Sequence, residues 1–246
     1  MKTPGLICLV LVLAGATAFA QKTKPWTEWS EKDAEKLLND SAWGQTQTEE
    51  TDSQPTQTSA VSSTTAAKER TVRDAGAAAA SAQSGESKGS ATVHYRVRLL
   101  TAKPIRAAFV RMIELQGASA ERMAELRPFV DRDFGDYIVV TISLDGNDRK
   151  RMTPVQQALL TAEATTLKED TYLERKDGTR VALSQYRAPG QDGLGAKFVF
   201  PRTIDGKPFI DPGAGEVRFG TELGKGVKIS RRFKISDMMY DGKLEY

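Results

Sequence analysis

Cysteine is nearly missing from this 246-residue chain: Cys8, its single example, lies inside an apolar run at the start. A folded part without thiols has no disulfide staples, no cysteine nucleophile and no thiolate zinc site, so its stability must come from a hydrophobic core. Histidine is as scarce. His94 alone must serve any histidine-dependent mechanism, and histidine-rich metal sites are excluded by count. No G-x-S-x-G turn presents a serine to it, and its place on the polar side of an alternating segment is that of a solvated histidine. No apolar run approaches the roughly 20 residues of a membrane helix, so no membrane span is expected. Nor is there an excess of one charge: 35 basic and 32 acidic residues leave +3. The two signs are interspersed, which gives no field to recruit nucleic acid.

What is present begins with a leader. Residues 1–20 carry Lys2, an apolar run from Leu6 to Leu13 and a closing Ala18-Phe19-Ala20, the pattern of a secretory signal peptide with an A-x-A cleavage site. Cys8 lies within the run rather than after it, which disfavours an acylated first residue. The mature chain is expected to start near Gln21 and to be exported to a bacterial periplasm or envelope, or secreted.

All three tryptophans, Trp26, Trp29 and Trp43, fall in the segment 21–44. Ser30 and Asp33 have the spacing of a capping box, with Trp29 just before. Ala34, Leu37 and Leu38 then share one face of a helix of about ten residues. So short a helix is not stable alone in water, so its aromatic surface must be covered. Three covers are open: the chain's own C-terminal domain, an envelope partner that receives Trp26, Trp29, Leu37, Leu38 and Trp43, or sugar rings stacked on the tryptophans, which a segment on a tether suits least. Residues 45–90 follow, with no aromatic residue and two valines among Gln, Thr, Ser, Ala and Gly. This composition buries too little apolar surface to offset the entropy of ordering and reads as a disordered linker.

From 91 to 246 the pattern is that of one α+β domain with a mainly antiparallel sheet, or a β-sandwich with two or three helices. Residues 92–100 alternate as a half-buried strand, Pro104 opens a helix through Ile113, and a shorter helix runs from Ser119 to Arg127. The apolar stretch 137–144 reads as a central strand buried on both faces. Thr153-Pro154-Val155-Gln156 reads as a capping box starting a helix to about Ala164. Strands are expected at 166–175 and 180–187, joined by a tight turn at Asp177-Gly178, then at 196–200, 216–221, 227–235 and 239–245.

Chemistry is sparse, and no cofactor or metal ligand set is expected. Asp131, Asp133 and Asp136 precede the central strand, and Asp145 to Asp148 follow it, roughly 25 Å away at about 3.3 Å per residue. They cannot form one site across that strand, and both groups have ordinary turn composition. The first trio, with His94 a weak addition, is the basis for a competing reading as a carboxylate-dependent hydrolase. Asp133-Phe134-Gly135 lacks the other kinase motifs, and Gly220 to Gly226 has three residues where a phosphate-binding loop has four. On 227–235, Lys228, Arg232 and Lys234 share one face with Ser230, a strip able to meet anionic lipid or acidic polysaccharide. The same arrangement discourages edge pairing. Arg231 falls on the other face, among Val227, Ile229 and Phe233.

The phrase W-T-E-W-S-x-K-D-A-x-K-L-L-x-x-S-x-W-G-Q-T-Q, with A-K-F-V-F-P-R and K-I-S-R-R-F-K-I-S-D-M near the end, resembles a group of uncharacterised exported bacterial proteins. The resemblance implies the domain map and no activity. These observations lead to the expectation of a non-catalytic exported binding or scaffolding protein of open oligomeric state.

Overall fold

The computed structural model describes residues 24–51 and 91–246. The expected signal peptide and most of the expected linker lie outside the described residues. After a 3-10 turn at Trp26–Glu28, helix α1 (Glu31–Asn39) leads into strand β1 (Gly44–Thr51). Strand β2 (Ala91–Leu99), helices α2 (Lys103–Leu115) and α3 (Ala120–Val130), strand β3 (Tyr137–Gly146) and helices α4 (Arg149–Thr161) and α5 (Ala164–Leu167) follow. The remainder is β: β4 (Tyr172–Arg175), β5 (Arg180–Ala182), β6 (Gln185–Arg187), β7 (Ala196–Pro201), the ribbon of β8 (Thr203–Ile204) and β9 (Lys207–Pro208), β10 (Glu216–Leu223), β11 (Val227–Lys234), and a last ribbon of β12 (Met239–Tyr240) and β13 (Lys243–Leu244).

The fold is α+β, and every strand pair is antiparallel. One sheet has the order β1-β2-β3-β7-β6 and the other β11-β10-β4-β5. They meet through aromatic edges: Phe219 of β10 stands edge-on to Phe198 (5.6 Å) and Phe200 (6.1 Å) of β7. Strand β3 is central, with Ile138, Val140 and Ile142 fully buried toward one face and Val139 and Thr141 buried toward the other. That is why its sequence is apolar almost throughout.

The segment 45–51 corrects the expectation of a linker: it is strand β1, paired with β2 from Gly44↔Arg98 to Thr51↔Ala91. Its polar alternation has a structural use. Gln45 Nε2 donates to the Arg232 carbonyl (2.6 Å) and Gln47 Nε2 to the Lys228 carbonyl (2.8 Å), while Gln47 Oε1 accepts from the Ser230 N–H (3.1 Å). These amides satisfy the outer edge of β11, where a neighbouring backbone would otherwise be needed, and join the two sheets along one side.

The tryptophan segment is likewise not a separate body. Trp29, Ala34, Leu38 and Trp43 belong to the same core as the sheets, and Trp26 and Leu37 pack against it. Ser30 and Asp33 form the expected capping box on α1, and α1 packs along α2. The Trp43 indole N–H donates to the Glu245 carbonyl (2.7 Å), and its ring meets Tyr240 edge-on at 6.3 Å. The Arg111 guanidinium of α2 holds the Trp29 carbonyl (2.8 Å).

Three smaller expectations shift. Helix α4 starts at Arg149, a turn before Thr153, because the Asp148 carboxylate accepts the Arg151 N–H and caps it there. Pro154 therefore lies inside the helix, and the Thr153 hydroxyl donates back to the Arg149 carbonyl. The strand expected over 166–175 is helical at its start, with β4 confined to Tyr172–Arg175. The strand expected over 180–187 breaks at Leu183-Ser184, where the Leu183 N–H goes to Thr171 and the Ser184 N–H to Val199. The chain thereby crosses from one sheet to the other, as corner strands do.

Candidate functional site

An aromatic-walled concavity lies where the end of α3, the start of β3 and the β6–β7 loop converge. A cleft of about 460 Å³ is floored by Leu100, Val139 and Val199 and walled by Phe129, Phe134 and Tyr137. It adjoins a second of about 530 Å³, which adds Phe109, Ile113 and Leu126 and shares Phe129, Arg132, Asp192 and Leu194. Together they form an elongated apolar groove with charged groups at its margin. Tyr137 remains 42% exposed, unusually open for an aromatic ring at the start of a central strand.

The aromatic wall is positioned from beneath by Arg106, a buried residue of α2. Its guanidinium donates to the carbonyls of Val130 (3.0 Å), Leu100 (3.2 Å) and Thr101 and lies 5.2 Å from the Phe134 ring centre. Burial pushes its pKa down, while nearby Glu245 and Asp131 oppose that shift. The carbonyls it binds terminate β2 and α3, so this one cation fixes the turn carrying Arg132, Asp133 and Phe134. Lys103 pins the same turn from the other side through Asp131 (2.7 Å).

The opposite wall is the β6–β7 loop. Gly195 there has φ +82°, and a Cβ would stand 2.2 Å from the Ile142 carbonyl oxygen, so only glycine allows the loop this close to β3. Asp192 accepts the Leu194 N–H (3.1 Å) and pairs with Lys197 (2.8 Å). Burial raises the Asp192 carboxyl, but Lys197 and the Leu194 N–H outweigh it and hold the group below the usual carboxylate range. Lys197 is thereby neutralised. Arg132 and Arg187 are not: neither has a carboxylate partner among the described residues, and Arg132 lies over the Phe134 ring at 5.4 Å.

The sequence-derived candidates fall elsewhere or apart. Trp29, Leu38 and Trp43 are buried in the chain's own core, and Trp26 and Leu37 are half-buried against it, so this face is already covered. Of the covers expected for this apolar surface, the chain's own core is the one present among the described residues. Of the acidic trio, Asp131 is bound by Lys103, and Asp136 is exposed with its carbonyl accepting the Arg202 N–H (2.7 Å). Asp133 lines the groove and accepts the Gly135 N–H (2.9 Å). The three carboxylates do not converge.

The second acidic loop also serves the fold: Asp145 pairs with Arg96 (2.6 Å) and Asp148 caps α4. Lys228, Arg232 and Lys234 lie exposed on the outer face of β11, each with an acidic neighbour: Glu222 (3.4 Å), Glu216 (3.5 Å) and Asp237 (3.1 Å). His94 pairs with the Thr48 hydroxyl at 3.0 Å.

Sequence reasoning missed Phe129, Tyr137, Arg132 and Arg187 as site residues. The detectable signal was Tyr137, an aromatic residue heading an apolar strand directly after a charged turn. The contribution of 185–199 could not be found, because it depends on which strands become neighbours. Among the described residues no helix is long and apolar enough to cross a membrane. No protein-family model, curated protein or solved structure matches the chain.

Proposed function

We propose that this chain is an exported, non-catalytic binding protein of the cell envelope, and that its ligand is an amphipathic anion held in the groove between α3, β3 and the β6–β7 loop. The observation that carries the reading is the pairing of an aromatic and aliphatic trough with two guanidinium groups, Arg132 and Arg187, that no carboxylate neutralises among the described residues. An apolar chain or ring gains about 25 cal/mol for each Å² it buries in such a trough, and the arginines orient its carboxylate or phosphate. Export is supported by the leader pattern of residues 1–20. The competing hydrolase would have to act through Asp131, Asp133 and Asp136, of which Asp131 is engaged by Lys103 and Asp133 by the Gly135 N–H.

Calorimetric titration of the full mature chain with dodecanoate and with dodecanol tests the reading. Dodecanoate is expected to bind saturably, and Arg132→Gln combined with Arg187→Gln to weaken it about tenfold or more, a loss of about 1.4 kcal/mol, while dodecanol binding stays unchanged. Absence of saturable binding, or equal weakening of both ligands, would refute it. Sequencing the N-terminus of the periplasmic protein tests the export half: a start near Gln21 is expected, and a retained leader overturns it.

A further inference from the structure

The four cations of β11 differ in one respect. Lys228, Arg232 and Lys234 project outward and meet acidic neighbours, whereas Arg231 has none among the described residues. It stands opposite Phe219 in the ladder, in the row of Ile229 and Phe233, which are 1% and 0% exposed. A cation in a core-facing row is costly unless something compensates it. Its Nε is buried and has no hydrogen-bond partner among the described residues, and burial pushes its pKa down. Buried polar atoms are nearly always satisfied, so an orphan of this kind calls for an explanation.

Arg231 lines a cleft of about 550 Å³ between the end of α1, β1 and β2, whose lining contains no apolar side chain. Thr46, Thr48, His94 and Arg96 line it too, because β1 and β2 pair Thr46↔Arg96 and Thr48↔His94 and so present these side chains on one face of the sheet. Arg96 also donates to Thr46 (3.2 Å) and is partly neutralised by Asp145. Asp40 stands at the same cleft and opposes an anion there. It is exposed to water, which screens it, whereas Arg231 is half-buried with its Nε out of contact with solvent. None of these residues belongs to the aromatic groove.

We infer that this cleft is a second binding site, for a small oxyanion, with Arg231 as its principal donor and Thr48, His94 and Arg96 completing the shell. The shared chemistry is that of a carboxylate or a phosphate. A guanidinium presents a planar fork of donors that matches either group, and hydroxyls on the neighbouring strand take up the remaining oxygens.

The experiment is a titration of the isotopically labelled, full mature chain with sodium phosphate and, separately, with sodium glucuronate, at constant ionic strength set with chloride. The Arg231 Nε–H, the His94 ring and the backbone amides of Thr46 and Thr48 are followed by NMR. Saturable shifts confined to these groups are expected. Arg231→Gln is expected to abolish them while leaving dodecanoate binding to the groove unchanged, so the two sites stand or fall separately. Phosphate acting without glucuronate assigns a phosphate site, and the reverse a carboxylate site. Linear, unsaturating shifts with both anions, or saturable shifts that survive Arg231→Gln, overturn the assignment. Should Arg231→Gln fail to fold, Thr48→Val, which removes a hydroxyl at similar volume, is expected to weaken the shifts at least threefold; unchanged affinity in that variant counts against the site.

Discussion

Strands β1 and β3 lie one strand apart in the same sheet, yet they are held by different forces. In β3 the side chains of Ile138, Val140 and Ile142 are buried completely, and removal of apolar surface from water fixes both its position and its register. In β1 none of the six residues from Gln45 to Glu50 is apolar. That strand is fixed by hydrogen bonds: its ladder with β2, and the Gln45 and Gln47 amides that finish the edge of β11. A sheet therefore tolerates a strand without hydrophobic residues when that strand supplies polar groups another edge lacks. Low apolar content alone does not mark a segment as unstructured.

Four substitutions would break or sharpen this contrast. The largest effect is expected in β3, where Ile142→Ala removes a fully buried side chain and should cost about 2–5 kcal/mol in denaturant unfolding, with no change in the slope. A cost under about 1 kcal/mol would mean that β3 is not the hydrophobic centre. Next is Gly44→Ala at the start of β1. Its Cβ would stand 2.4 Å from the Leu38 carbonyl oxygen, so α1 must move, and a loss of about 1–3 kcal/mol is expected, together with red-shifted emission from the tryptophans. Unaltered emission would show that α1 and β1 are not coupled at this point.

Gln47→Ala is expected to cost about 1–2 kcal/mol, because it leaves one donor and one acceptor of β11 unpaired. The readout specific to that role is faster amide exchange at Ser230; unchanged exchange there would remove the edge-capping account. The smallest effect at neutral pH belongs to Tyr95, which lies between the two strands and donates to Glu49 (3.3 Å). Burial, with Glu49 adding to it, pushes its pKa from 10.0 up to about 12. The folded state thus keeps the proton longer than the unfolded chain does, and the stability this contributes is complete below pH 10 and lost as pH rises toward 12. Tyr95→Phe should change stability by less than about 1 kcal/mol at pH 7 and flatten the alkaline decline. An unaltered alkaline limb would contradict the assignment.

These strands also show what was legible in the sequence. Apolar periodicity announced β2, β3, α2 and β7, since each buries a face and a buried face leaves a pattern. Strand β1 went unread because its ladder is with β2, about forty residues on, and its Gln side chains reach backbone atoms near residue 230, which no local pattern records; the strict Gln-Thr alternation, with β-prone threonine, was the one available hint. The break at Leu183-Ser184 was hidden for the same reason, as it reflects a change of sheet rather than of composition. The groove was less legible still. Phe129, Tyr137 and Arg187 come from separate elements, and only the meeting of α3 with the β6–β7 loop makes them neighbours. The acidic trio attracted notice by local density, which in this chain reflects a turn held by Lys103.

The bond from the Trp43 indole to Glu245 spans 202 residues, and those from Gln45 and Gln47 to β11 span 187 and 181. A chain synthesised from its N-terminus carries α1 and β1 long before the residues that cover them exist. Loop closure over such distances is slow, and the native arrangement of the first elements must wait for the last. Seating of the Trp43 ring is therefore a late step that follows synthesis of residues 239–245, and removal of those residues should expose Trp43 while Trp29, held by Arg111, stays in place.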